Sequence, residues 1–115
     1  MRVFQTQDIK VVRLIEWAQV FPLFKEDGSY VPITEISSIQ AFVTSTDQLD
    51  GPVISSLPVE IADDVLTSVI VTIPENVSGS FVPSGEYAPS GYWWLTYIDS
   101  DGERIPVKNG RVFTT

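Results

Sequence analysis

Thirty-five of the 115 residues branch at Cβ: 15 Val, 11 Ile and 9 Thr, against 6 Leu, 4 Ala and 1 Met. Such side chains crowd a helical turn and pack well on a pleated surface, so the balance favours strands. Eight Pro and seven Gly recur along the chain and cut it into short segments. That punctuation is the signature of an all-β sandwich or barrel. The length suits one domain, which should bury roughly two-thirds of its unfolded surface.

The apolar pattern places the strands. Residues 1–16 alternate imperfectly and suit an N-terminal arm or edge strand, with the clean sandwich pattern running over 17–115. On that reading, loss of residues 1–13 leaves the fold largely intact. Trp17 to Phe24 alternates well and closes at Lys25-Glu26-Asp27-Gly28, with Pro22 confining it to an edge. Ser38 to Thr44, Val53 to Ile61 and Val65 to Ile73 follow, the last two joined by a turn at Ala62-Asp63-Asp64. Tyr92 to Ile98 is apolar on both parities, so it is expected at the centre, covered on both faces. Asp27-Gly28 and Asp101-Gly102 each end an apolar strand and precede an aliphatic-Pro-aliphatic triplet, which predicts two tight corners with positive φ at glycine. Asn109-Gly110 reads as a further turn. Trp17, Phe42, Val71, Trp93 or Trp94, and Leu95 are the expected core of an antiparallel sandwich of about seven strands.

Candidate chemistry is thin. The chain has no Cys and no His, which removes thiolate and imidazole metal sites, Cys and His nucleophiles and every Ser-His-Asp relay. Asp99-Ser100-Asp101-Gly102-Glu103 begins like a calcium loop but lacks the downstream bidentate Glu, so a plain turn is the better reading. The adjacent Asp63 and Asp64 point to opposite faces of a strand and have no opposing pair for acid-base work on a sugar. No catalytic, cofactor-binding or metal-ligating residue is assigned. The aromatics Trp17, Tyr92, Trp93, Trp94 and Tyr97 serve either as core or as a carbohydrate platform.

Charge is more informative. Net charge is -8, which opposes general binding to a phosphate backbone. No apolar run reaches the ~20 residues that span a bilayer, and the first residues lack the apolar stretch of an export signal. Between Glu26 and Glu103 there are thirteen acidic residues and no Lys or Arg, while both terminal segments are net basic. One reading is a soluble acidic surface with basic residues scattered by chance. The other is a polar molecule whose basic terminal segments meet an acidic middle on neighbouring copies.

Residues 74–91 hold three Pro, three Gly and four Ser, too long for an ordinary connection inside a compact domain, yet they include Phe81, Val82 and Tyr87. This segment is expected to be a contact loop ordered by a partner. The candidate partner contacts are therefore Arg2, Phe4, Lys10, Arg13 and Arg111 from the terminal segments, and Phe81, Val82 and Tyr87 from the loop.

The order of these features resembles the immunoglobulin-like domains of tailed-bacteriophage structural proteins, particularly the N-terminal domain of baseplate upper proteins. The residues that carry it are Trp17, Asp27-Gly28, Val31-Pro32-Ile33-Thr34, Ser38 to Val43, Val59-Glu60-Ile61, Val69 to Ile73, Gly91-Tyr92 opening the aromatic strand, Asp101-Gly102, and Asn109-Gly110-Arg111-Val112. The resemblance implies a single immunoglobulin-like β-sandwich and a non-enzymatic virion component of tail, neck or baseplate, made in the host cytoplasm. Its expected partners are other virion proteins and copies of itself, with no cofactor, nucleic acid or membrane. A capsid decoration protein and a module binding host-surface carbohydrate are the alternatives.

Overall fold

The computed structural model describes residues 5–25, 27–32, 38–63, 66–82 and 88–115. Their strands are β1 (Gln5–Thr6), β2 (Ile9–Val11), β3 (Trp17–Pro22), β4 (Gln40–Thr44), β5 (Val53–Leu57), β6 (Val59–Asp63), β7 (Ser68–Ile73), β8 (Gly91–Ile98) and β9 (Arg104–Thr114), with one helix, α1 (Glu75–Ser80), before β8. The protein is all-β, in two sheets. The larger runs β1-β9-β8-β4-β5, with β2 continuing beside β9, and the smaller runs β3-β7-β6. β1 and β2 pair parallel to β9, and the other ladders are antiparallel.

The two-residue period of a strand sends alternate side chains between the sheets. Val69, Val71 and Ile73 from β7 meet Trp93, Leu95 and Tyr97 from β8, with Ala41, Val43, Phe21, Ile9 and Val11 completing the layer. At its middle the Phe21 and Trp93 rings lie 5.1 Å apart, centroid to centroid. Full burial of side chains of this size stabilises by roughly 1.5 to 3 kcal/mol each. Trp17 is half-buried against the same cluster. Phe42 and Trp94, also expected in the core, face each other across β4 and β8 on the opposite side of the large sheet and are nevertheless buried. The Trp94 indole N–H donates to Thr44 Oγ1 at 2.9 Å, and the Arg104 guanidinium lies 5.3 Å from the Phe42 ring centre. β8 is thus covered on both faces, which is why its sequence is apolar on both parities.

Both corners have the expected backbone. Gly28 and Gly102 have φ of +87° and +81°, and each amide closes a turn onto the carbonyl three residues back, Lys25 and Asp99. A Cβ at either position meets no atom within 4 Å, so the cost of substitution is conformational alone. Gly28→Val and Gly102→Val should each lower stability by about 1 to 2 kcal/mol in urea denaturation, because a β-branched residue is strained at positive φ. Unchanged midpoints would show that these corners tolerate another conformation.

Elsewhere the structure corrects the sequence reading. The expected strand Val53 to Ile61 is two strands in two sheets: Pro58, which has no N–H to give a ladder, carries the chain across from β5 to β6. Asn109-Gly110 is not a turn, since β9 runs straight through it and Gly110 pairs with Trp93. Residues 75–80 are helical rather than loop. Of the arm and the edge strand that residues 1–16 suited, residues 5–6 and 9–11 take the edge strand, and Ile9 and Val11 are each only 2% exposed. These differences raise the strand count above the seven expected.

Candidate functional site

The terminal segments are brought together by the parallel seam. Lys10, in β2, is exposed beside Phe113 of β9. Arg111 lies in the neighbouring part of β9, where its Nη2 donates to Asp8 Oδ2 at 2.7 Å and its backbone amide to Asp8 Oδ1 at 3.0 Å. These bonds hold the Asp8 carboxyl below the usual carboxylate range and push the Arg111 guanidinium up. The guanidinium also sits 5.2 Å from the Phe113 ring centre. Asp8 was not singled out from the sequence, because nothing local marks a residue whose partner is 103 positions away.

Arg13 reaches the other way. Its Nη2 donates to the Gly79 carbonyl at 2.9 Å, tying the β2–β3 connection to the helix. Six residues, Glu-Asn-Val-Ser-Gly-Ser, are poor helix formers, so α1 depends on such tertiary bonds. Buried Ser78 donates its hydroxyl to the Ile15 carbonyl or its own helix at Glu75. Leu14 covers Gly79 so closely that a Cβ there would overlap its side chain. Leu14 itself has φ +66°, a left-handed conformation costing roughly 1 kcal/mol in a residue of this type. It is held there while two-thirds exposed.

Of the loop residues, Phe81 is 3% exposed and belongs to the core, so the surface role expected of it gives way to packing under α1. Val82 is the most exposed large apolar residue described, at 75%. Arg2, Phe4 and Tyr87 lie outside the described residues. The structure therefore places Lys10 and Arg111 along the β2–β9 seam, directs Arg13 to α1 and leaves Val82 exposed just after that helix.

The aromatics do not form an open platform among the described residues. The Trp93 indole donates to the Gln7 carbonyl at 2.7 Å and that of Trp94 to Thr44, leaving neither N–H for a ligand. Tyr30, the one aromatic of the exposed class described, stacks on Phe24 with ring centres 4.7 Å apart. The carboxylate of Asp99 accepts the amides of Asp101 and Glu103, both at 2.9 Å, so this acidic loop is a turn built on its own backbone. Asp63 accepts the Leu66 amide from the end of β6, so Ala62 and Asp63, expected in a turn, belong to the strand instead. No group of three or more acidic residues fit to hold a metal occurs among the described residues. A shallow groove of about 390 Å³ runs along the β4–β5 edge, lined by Ile39, Phe42, Val53, Leu57, Val59 and Arg104. Gln40 and Ser56 supply polar groups beside these residues.

No family model matches the chain. It is similar to the large ribosomal subunit protein uL3 of Shewanella piezotolerans, 35% identical over 85 residues. That alignment covers 74% of this chain, which spans only 38% of the length of the curated relative.

Proposed function

We propose that the protein is a non-enzymatic, immunoglobulin-like docking domain of a tailed-phage virion, a part of tail, neck or baseplate that attaches to other virion subunits. The observation that carries this reading is the strand order. With β1 and β2 counted as one interrupted strand, the second, sixth and fifth strands form one sheet, and the eighth, seventh, third and fourth form the other. This order is compatible with the B-E-D and G-F-C-C′ partition of an immunoglobulin-like sandwich, with the first strand moved beside the last, and so supports the reading. Gradient-purified phage particles from the source should contain the chain at a fixed stoichiometry, and gold-labelled antibody should mark one place on the particle. A chain confined to the particle-free fraction overturns the reading.

The similarity to uL3 favours a second reading, a part of the large ribosomal subunit. Electrostatics weigh against it. Net charge is -8, and of the seven Lys and Arg, Arg104, Lys108 and Arg111 each lie over an aromatic ring. Few cations remain to displace counterions from ribosomal RNA. The same gradients decide, because this reading requires the chain in the ribosomal fraction.

A further inference from the structure

The two open sides of the sandwich are complementary. On one side lie β1 and β2, the edge of the large sheet, and β3, the edge of the small one, each paired on a single side among the described residues. The chain crossing between them exposes Val12, Leu14 and Ile15, each more than half exposed, and this side carries Lys10 and Arg13 against Glu16, Asp8 being tied to Arg111. On the opposite side lie the edges β5 and β6, joined at Pro58. Here Val53, Ile54 and Ile61 are exposed, and residues 45–63 carry Asp47, Asp50, Glu60 and Asp63 with no Lys or Arg, Arg104 being the cation that lines the neighbouring groove. Natural edge strands are commonly blunted by lysine or by an inward-pointing charge. β5, Val-Ile-Ser-Ser-Leu, has neither.

Strand direction completes the match. β9 runs with β2 and against β8, β8 runs against β4, and β4 against β5. β5 therefore runs opposite to β2. A copy displaced sideways without turning over would present its β2 antiparallel to β5 of its neighbour, the arrangement with the stronger ladder. We infer that this protein associates head to tail with copies of itself, the β1–β3 side of one copy seating on the β5–β6 side of the next. An isologous pair would instead set like charges against each other on either side. The contact is heterologous, so it builds rings or open rows according to the small rotation at each step. The inference deepens the virion reading by naming one of its partners as a second copy.

Sedimentation velocity of the full chain tests it at ~0.1 M salt, where a Debye length of about 10 Å leaves contacting charges effective and screens the distant net charge. The sedimentation coefficient should rise with concentration. Lys10→Glu and Glu60→Lys lie in exposed positions of β2 and β6. Each should weaken association about tenfold, Lys10→Glu by reversing the net charge of the basic side and Glu60→Lys by cutting that of the acidic side, at an unchanged melting temperature. An equal mixture of the two variants should associate more strongly than either alone, because the unaltered β1–β3 side of the Glu60→Lys protein meets the unaltered β5–β6 side of the Lys10→Glu protein. A protein monomeric to about millimolar concentration, an association indifferent to both substitutions, or a mixture no better than its components overturns the head-to-tail contact. A monomeric chain that still resides on phage particles overturns only this contact, whereas a self-associating chain absent from particles overturns only the virion reading.

Discussion

Removal of residues 1–13 is expected to unfold the protein. The segment reads as an appendage in the sequence, but it is a wall of the core. Ile9 and Val11 are among the largest fully buried side chains, and β1 and β2 together run beside β9 from Lys108 to Thr114. Deletion would uncover Val112, strip the parallel ladder from β9 and leave the Trp93 indole without the Gln7 carbonyl that accepts its proton. Two buried aliphatic side chains are worth roughly 1.5 to 3 kcal/mol each, and the lost indole hydrogen bond about 0.5 to 1.5 more. Against a total stability of roughly 5 to 15 kcal/mol for a domain, that loss removes most of the margin. The truncated chain should show no cooperative urea transition. In the full chain, Ile9→Ala alone should cost about 2 to 4 kcal/mol by the same measurement. A truncated protein that unfolds cooperatively near the original midpoint would return residues 1–13 to the status of an arm.

The corners at Gly28 and Gly102 were legible because a local rule suffices: an apolar strand, an acidic turn residue and a glycine free to adopt positive φ. The buried character of β8 was legible because its six apolar or aromatic residues fall on both parities. What could not be read depends on partners far away in the chain. Pro58 could sit in a bent edge strand as well as between two sheets, and only the positions of β4 and β7 decide. α1 has almost no intrinsic helix preference, and it exists because Arg13, Leu14 and Ile15, more than sixty positions upstream, bond and cover it. The candidate contacts divide in the same way. Exposure of Lys10 and Arg13 follows from simple polarity, whereas the burial of Phe81 needed the helix before it and the engagement of Arg111 needed Asp8.

Gly110 separates a local from a tertiary explanation, and its substitution should be severe. Glycine after Asn suggests a turn, where φ is positive and Asn or Asp can replace it. The structure gives a different reason. Gly110 lies inside β9 opposite Trp93, and the backbone of Gln7 crosses directly over it, the Gln7 amide bonding to the Asn109 carbonyl at 2.7 Å. A Cβ on residue 110 would overlap the Gln7 carbonyl and lie 2.9 Å from the Trp93 indole nitrogen. Neither neighbour can yield separately, because the indole donates to that same carbonyl. Even Gly110→Ala must lift β1 away from β9, and with it the indole bond and the packing of Ile9. We expect a loss of about 3 kcal/mol or more in urea denaturation, together with fast solvent exchange of the Trp93 indole proton in NMR. Gly110→Asn should be at least as damaging as Gly110→Ala, since it adds the same Cβ and a larger group beyond it. A turn glycine would rank them in the opposite order, with Asn nearly neutral. If Asn is tolerated and Ala is not, the strand is not continuous through residue 110. If both are tolerated, β1 does not rest on β9, and the seam that places Lys10, Asp8 and Arg111 together would have to be abandoned along with it.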